Sequence, residues 1–320
     1  MRKILIGMIA ACAALALPAA AQQKLELSIA TGGTGGVYYP LGGGMANVLS
    51  KNVPGLTATA EVTGGSVDNL KLLNAGKSEV AFTMVDAAWD AKQGVDKFKD
   101  AKFEPRTLMV LYPNRMHVVT IDGSGINKLA DLKGKRVSTG SAGSGTEIMA
   151  MRILEAVGLD GHKDIRQERL GVAESVSAIK DRKIDAFFWV GGLPTAAVTD
   201  LANTPGVKIK MIDHGDTVDK MNKKYGQLYV HDSIPKSTYR GMDADNKIAT
   251  VWNILVSNEN LSDKTAYAIV KTIFDHKADL VAVHKESENF TLANQKASAS
   301  PIPYHPGAIK YFAERGVKLN

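Results

Sequence analysis

The stretch Leu25–Pro40, LELSIATGGTGGVYYP, is a strand, a glycine-rich turn and the start of a helix. Apolar and polar residues alternate from Lys24 to Ala30, which predicts a strand with one buried face. The turn Thr31–Gly36 follows, and Pro40 suits the first turn of a helix. This order indicates an α/β fold in which the turn lies at the carboxyl end of a strand.

The same order recurs along the chain in two series, the second of which begins near Asp122. Ile126–Leu132 is predicted as a short helix, and Pro194 as the start of another. Strands alternating with helices favour parallel sheets with helices on both sides, so two series predict two α/β lobes. The further predicted strands span residues 56–62, 80–85, 107–112, 117–121, 136–139, 184–190 and 207–212.

Four strand-to-helix turns are rich in glycine, serine or threonine. They are Gly32–Gly36, Gly64–Ser66, Gly140–Thr146 and Gly191–Gly192. Ligands of open α/β sheets bind beyond the carboxyl ends of the strands, where these turns lie. Free N–H groups at a helix start hold an anion without a basic side chain. The turns therefore predict a cleft for a carboxylate or phosphate, with added hydroxyl donors from Thr34, Ser66, Ser141 and Thr146.

Each of these turns also has a purely structural interpretation. Ser144 and Glu147 have the spacing of a capping box, in which both side chains serve the helix itself. Ser66 is a good N-cap for the helix that begins there. The recurrence of the same kind of turn favours ligand binding. For any single turn, helix capping without a ligand remains the alternative.

Several larger side chains near the turns have two interpretations. Tyr38 covers a ligand or packs under its helix. Asp86, directly after the third strand, pairs with a ligand amine or caps the helix at Ala87. Trp89 and Trp189 are interpreted as core residues rather than ligand platforms.

The first 21 residues have the pattern of a cleavable signal peptide. Arg2 and Lys3 precede an uncharged apolar stretch, and Ala19–Ala21 supplies a small-residue cleavage site. Cleavage there removes two positive charges and no acid, so the net charge falls from +6 to +4. The mature chain then contains no cysteine. A lipobox-like reading, with Cys12 lipidated, is the alternative.

Motifs of the common catalytic and cofactor sites do not occur in the sequence. There is no P-loop, no dinucleotide-binding glycine motif, no nucleophile elbow and no metal-ligand spacing of histidines. Lysine and arginine form no block of the kind that nucleic-acid binding requires. We therefore expect no cofactor, no metal and no catalytic residue, and no further membrane-spanning segment.

Six segments together resemble the TAXI family of solute receptors, the binding components of tripartite ATP-independent periplasmic (TRAP) transporters. The similarity covers nearly all of the mature chain. The segments are Gly32–Gly42 (GGTGGVYYPLG), Thr63–Leu70 (TGGSVDNL), Leu129–Val137 (LADLKGKRV), Gly143–Glu147 (GSGTE), Ile184–Phe188 (IDAFF) and His305–Ala308 (HPGA).

The resemblance implies a two-lobed periplasmic binding protein fold, type II-like, with crossover strands joining the lobes. One lobe would comprise residues 22–115 and about 255–320, and the other residues 116–254. It implies a periplasmic monomer that closes on glutamate, 2-oxoglutarate or a related dicarboxylate and delivers it to TRAP membrane subunits. A periplasmic hydrolase and a sensory binding protein are the alternatives. The implied ligand-binding residues are Gly33, Thr34, Tyr38, Ser66, Asp86, Ser141, Ser144, Gly145, Thr146, Gly191 and Gly192.

Overall fold

The computed structural model of the chain describes residues 25–319. The predicted signal peptide, Cys12 and Lys24 lie outside this range. Within it, no helix is long and apolar enough to cross a bilayer.

The described residues form ten strands and ten α-helices, which alternate along much of the chain before three helices end it. The strands are β1 Leu25–Ala30, β2 Leu56–Glu61, β3 Val80–Met84, β4 Arg106–Ile121, β5 Arg136–Ser138, β6 Arg166–Glu168, β7 Ala186–Gly191, β8 Ile209–Met211, β9 Tyr229–Ile234 and β10 Asn246–Ser257. The helices are α1 Tyr38–Asn52, α2 Ser66–Asn74, α3 Val85–Gln93, α4 Gly145–Ala156, α5 Val172–Lys180, α6 Ala196–Asn203, α7 Val218–Tyr225, α8 Asp263–Asp275, α9 Lys277–Val283 and α10 Pro306–Glu314.

The strands join in the order β2-β1-β3-β10-β4-β7-β5-β6, with β8 beside β4 and β9 beside β10. In the first lobe β2, β1 and β3 are parallel, and β10 runs against β3. In the second lobe β6, β5 and β7 are parallel, and β4 runs against β7. The two long antiparallel strands β4 and β10 pair with each other and pass between the lobes. This confirms the predicted α/β two-lobed binding-protein fold with crossover strands, while the residue limits of the lobes stay a prediction.

Burial explains why the central strands are continuous apolar runs. Every residue of β3 is buried, and β4 is buried along almost all of its length. Helices cover both faces of these strands, so alternation with polar residues is not needed there. By contrast, β1 and β2 lie toward one edge and keep an alternating pattern.

Two strands predicted at residues 107–112 and 117–121 are one strand in the structure. Pro113, which lacks an N–H donor, suggested a break. It pairs with Trp252 of β10 at a β-bulge, where a missing ladder hydrogen bond is tolerated. The joined strand is 16 residues long, which is what allows it to serve both lobes.

Helix boundaries follow the predicted caps in most places. Ser144 and Ser262 accept a hydrogen bond from the backbone of their helices, and Pro306 lies at the start of α10. Two predicted helix starts are wrong. The segment 126–132 forms only a short 3₁₀ turn over Leu129–Leu132, and α6 begins at Ala196, two residues after Pro194.

Candidate functional site

A cavity of about 70 Å³ lies between the two lobes, at the carboxyl ends of strands from both. A water molecule needs about 10–15 Å³ on this measure, so the cavity has room for a few waters or a compact organic molecule. It is lined by Gly32–Tyr38 after β1, Gly64–Ser66 after β2, Met84 of β3, Tyr112 and Asn114 of β4, Gly140, Ser141 and Ser144–Thr146 after β5, Leu170–Glu174 after β6, and Trp189–Gly191 of β7.

Four helices, α1, α2, α4 and α5, begin at this cavity. Tyr38 of α1, Gly145 of α4 and Val172 of α5 are the first residues of their helices, and all three line it. The first N–H groups of a helix have no partner within the helix. Among the described residues, these three N–H groups donate to no other backbone carbonyl either. These three helix starts therefore offer free donors and the positive ends of their helix dipoles to one small space.

The lobes touch each other across the cavity through glycines. A Cβ atom on Gly36 would lie 2.7 Å from Cη2 of Trp189, and one on Gly35 would lie 3.0 Å from Cβ of Ala173. Only glycine permits so close an approach. The structure therefore shows the lobes in contact around the cavity.

Hydrogen bonds between the lobes use the remaining turn. The N–H groups of Val67 and Asp68, at the start of α2, both donate to the Gly143 carbonyl at 3.1 Å. The Ser141 hydroxyl donates to the Gly64 carbonyl at 2.9 Å. Because Gly143 occupies two of the α2 donors, this fourth turn holds the lobes together at these atoms rather than offering them to the cavity.

Nine of the eleven predicted site residues line the cavity. They are Gly33, Thr34, Tyr38, Ser66, Ser141, Ser144, Gly145, Thr146 and Gly191. Gly192 does not line it, because it packs against the side chains of Glu286 and Tyr112. Asp86 does not line it either.

Asp86 is buried on the other side of α3. Its carboxylate accepts hydrogen bonds from the Ala87 N–H and from the Tyr229 hydroxyl, both at 2.8 Å, and lies 3.9 Å from Arg152. Burial raises the pKa of this carboxyl group. The geometry agrees with the capping interpretation and leaves no access for a ligand amine.

The hydroxyl groups that line the cavity are mostly engaged within the protein. Ser66 is not the N-cap of α2, since Gly65 precedes it there, and its Oγ accepts from the Met84 N–H at 3.1 Å. Ser144 caps α4, accepting from the Glu147 N–H at 3.1 Å and donating to the Ser141 carbonyl at 2.7 Å. The structure thus confirms half of the capping box. Backbone N–H groups are left as the main free donors.

The Glu147 side chain does not reach back to its helix start. Its carboxylate forms ion pairs with Arg169 at 2.9 Å and Lys97 at 3.5 Å. These partners compete with the backbone N–H that a full capping box requires.

Tyr38 packs at the cavity and also within the first lobe. Its ring lies 5.0 Å from that of Phe82, and its hydroxyl donates to Asn253 of β10. Burial raises the pKa of the Tyr38 hydroxyl well above its ordinary range, so it stays protonated. Tyr38 is therefore part of the packing and lines the cavity, while its covering of a ligand stays a prediction.

Sequence reasoning missed one wall of the cavity. The turn Leu170–Glu174 follows β6, a three-residue strand without apolar alternation. The sequence feature that could have indicated this turn is Gly171, which directly precedes the apolar stripe of α5. Trp189 was interpreted as a core residue, yet it is only partly buried and lines the cavity, with its indole N–H donating to Thr195 Oγ1 at 2.9 Å.

The lining contains little charge. Among the described lining residues there is no lysine, arginine, histidine or cysteine, and Glu174 is the one with an ionisable carboxylate. The described residues also hold no group of three or more potential metal ligands. An anion in this cavity would be bound by backbone dipoles.

Comparison with solved structures gives similar folds at low sequence identity. A protein from Bordetella bronchiseptica RB50 has a TM-score of 0.53 and 18% identity, with 91% of this chain and 89% of that chain covered. The binding protein component of an ABC phosphonate transporter from Pseudomonas aeruginosa has a TM-score of 0.51 and 10% identity, covering 82% and 79%. The substrate binding protein of an amino acid ABC transporter has a TM-score of 0.50 and 14% identity, covering 83% and 98%.

At these identities the structural similarity establishes the fold. A sequence profile carries the assignment further, because it matches residues 29–316 and so spans both lobes and the crossover strands. The chain belongs to the NMT1-like family.

Proposed function

We propose that this protein is a periplasmic solute-binding protein that holds a small carboxylate between its lobes and delivers it to a membrane transporter. One observation carries the proposal. Three helix N-termini with free N–H groups meet at a small cavity, and the described residues that line it include no basic side chain. Such N-termini bind carboxylates and phosphates through aligned N–H groups and the helix dipole.

The size of the cavity favours a compact ligand. About 70 Å³ suits a small organic acid better than a nucleotide or a peptide. Glutamate, 2-oxoglutarate and related dicarboxylates are the candidates that the TAXI resemblance suggests. Two solved structures with this fold are named as binding components of amino acid and phosphonate transporters, which supports a small anionic or zwitterionic solute.

The transporter partner is proposed to be the membrane subunits of a TRAP system, on the resemblance of the glycine-rich and histidine–proline segments. Two of the solved structures named above are described as binding components of ABC transporters, which makes an ABC permease the alternative. Uptake of the ligand into membrane vesicles that contain the permease encoded beside this protein distinguishes a TRAP partner from an ABC partner. A TRAP system requires a sodium or proton gradient and is indifferent to ATP, whereas an ABC system requires ATP.

Export through a cleaved signal peptide completes the proposal. Mass spectrometry of the protein recovered from the periplasm should give a chain that begins at Gln22. A chain that begins at a lipidated Cys12 would instead support the lipoprotein alternative.

A binding role is favoured over a hydrolase because the described residues that line the cavity include no histidine, lysine or cysteine to serve as base or nucleophile. Ligand incubated with the protein should be recovered unchanged by NMR. Recovery of a hydrolysed product would favour the enzyme.

A thermal-shift screen tests the binding proposal directly. A ligand that binds only the folded state at 100 times its Kd stabilises by about 2.7 kcal/mol, which raises the melting temperature by several degrees. We expect this from at least one of glutamate, 2-oxoglutarate and glutarate. The diamide of glutaric acid, of similar size but uncharged, should have no effect. If none of the acids raises the melting temperature, the proposed ligand class is wrong.

A further inference from the structure

The cavity has a floor as well as walls. Asn114 lies on the crossover strand β4, lines the cavity and is only 2% exposed. Its side-chain Oδ1 is buried and has no hydrogen-bond partner among the described residues. Buried polar side-chain atoms are paired in the large majority of cases, so an unpaired one requires an explanation.

The neighbours of Asn114 explain why the protein itself supplies no partner. On one side β10 pairs with β4, and Val251 lies opposite Asn114. On the other side β7 places Gly191 beside Arg115, and glycine has no side chain to offer. The rest of the lining includes the glycine-rich turns, which present backbone at the walls.

The position of Asn114 also differs from that of the helix starts. It lies on a strand that belongs to both lobes, so it stays in the cleft when the lobes separate. Tyr112, two residues earlier on β4, points to the same face of the strand and also lines the cavity. The walls therefore contribute N–H donors, and the floor contributes Asn114, whose buried carboxamide oxygen has no partner among the described residues.

We propose that Asn114 is a specificity-determining residue, whose carboxamide oxygen accepts a hydrogen bond from a second polar group of the ligand. The inference rests on the proposed function, in which the helix starts hold the carboxylate. The ligand is then bifunctional. It carries an N–H or O–H donor, such as an ammonium, amide or hydroxyl group, in addition to its carboxylate.

Calorimetry with matched ligands tests the role of Asn114. Glutarate, glutamate and 2-hydroxyglutarate share one carbon skeleton, and only the last two carry a donor at the second carbon. We expect the wild type to bind at least one donor-bearing acid at least tenfold more tightly than glutarate. In Asn114→Leu, which has a similar volume but no polar atom, that preference should disappear while glutarate affinity changes less than threefold.

Equal weakening of all three acids, or an unchanged preference in Asn114→Leu, would overturn the inference and leave the proposed function standing. Binding of none of the acids by the wild type would contradict the proposed function and the inference together. Asn114→Ala gives a second variant with the same expected loss of preference.

The melting temperature of the ligand-free protein gives a separate readout. Asn114→Leu removes an unpaired buried polar atom, so the free protein should melt at a higher temperature. A lower melting temperature would mean that Asn114 has a structural role, and would contradict the inference. The matched control is Ser257→Ala, which removes another buried unpaired oxygen, at the end of β10 and outside the cavity lining. It should leave all three affinities unchanged.

Discussion

Two of the contacts between the lobes differ in chemistry. One, the turn contact, bonds Val67 and Asp68 to Gly143 and the Ser141 hydroxyl to Gly64, and it packs Gly36 against Trp189. The other, the ionic cluster, consists of Asp86 and Asp90 on α3, Arg152 on α4 and Tyr229 on β9. Nη2 of Arg152 lies 2.5 Å from Oδ2 of Asp90, and the Arg152 guanidinium group stacks on the ring of Tyr225.

The difference indicates a division of roles. The turn contact leaves N–H groups free at the cavity, so it is suited to respond to a ligand. The side chains of the ionic cluster bond to one another, and their charges regain water when the lobes separate. Burial raises the pKa of Asp90 to about 6, which means that its charge is held at some cost. A buried ion pair contributes little net stability, but loss of one partner is severe.

The largest effect should follow from removing the cation of the ionic cluster. Arg152→Met leaves Asp86 and Asp90 buried without a counter-charge. We expect a loss of about 3–5 kcal/mol in the free energy of unfolding at pH 7, measured by urea denaturation. The loss should be smaller at pH 5, where the two carboxyl groups can take up protons.

Asp90→Asn is the matched control for this variant. It keeps the shape and a hydrogen-bond acceptor, and removes a charge whose pKa is already raised toward neutrality. It should cost less than about 1.5 kcal/mol. If Asp90→Asn lowers the free energy of unfolding as much as Arg152→Met does, the stability of the cluster depends on the Arg152–Asp90 ion pair and not on the cation alone.

Acid should destabilise the protein through two buried histidines that belong to neither the turn contact nor the ionic cluster. Burial lowers the pKa of His117 and His214 from 6.5 to about 4, and both side chains are fully buried. Their neutral forms are favoured in the folded state, so stability is full above pH 6.5 and falls as the pH drops toward 4. Between pH 7.5 and 5.0 we expect about 2 kcal/mol of loss per histidine, measured by urea denaturation.

His117→Gln distinguishes this cause from the ionic cluster. Gln can replace the hydrogen bonds that His117 makes to the Arg115 carbonyl and the Tyr239 hydroxyl, both at 2.9 Å, without titrating. The variant should lose about 2 kcal/mol less than the wild type over the same pH interval. An unchanged pH dependence would assign the acid sensitivity elsewhere.

A methyl group in the turn contact should weaken ligand binding more than folding. In Gly36→Ala the new Cβ would lie 2.7 Å from Trp189, which opposes closure. Overpacking costs about 1–3 kcal/mol, so the Kd for the carboxylate that stabilises the wild type should rise by roughly 5- to 150-fold by calorimetry.

Gly43→Ala is the control for Gly36→Ala. Gly43 is exposed within α1, and its Cβ would meet no atom within 4 Å. The variant should stabilise the fold by about 0.5–1 kcal/mol and leave the Kd unchanged. Equal Kd values for the two variants would contradict the proposed closure.

The smallest effect is expected from one hydrogen bond of the turn contact. Ser141→Ala removes the bond to the Gly64 carbonyl, which joins the lobes. One such bond contributes about 1 kcal/mol, so the Kd should rise by about fivefold while the melting temperature of the free protein changes little. An unaltered Kd would mean that water replaces the hydroxyl.

The sequence predicted the strand-end turns because periodicity and glycine content are local properties. It misplaced Asp86 for a physical reason. The other strands end in turns of several residues, whereas α3 begins at Val85, directly after β3 ends at Met84. Without a turn, the second helical residue points toward α4 and not into the cleft.

Asn114 could not be identified in advance for a different reason. It lies within a strand, and its significance depends on what the neighbouring strands lack. Gly191 lies next to it only because β7 pairs with β4. Trp189 was misjudged similarly, because the closeness of Gly36 comes from the other lobe.

The claim that the lobes close on a carboxylate is tested most directly by a distance between them. The only cysteine of the sequence is Cys12, so spin labels at Val62→Cys and Ser177→Cys, both exposed, report on opposite lobes. With saturating ligand, pulsed electron paramagnetic resonance should show one short, narrow distance population that replaces a broader or longer one. A ligand that binds by calorimetry and leaves this distance distribution unchanged would contradict the account.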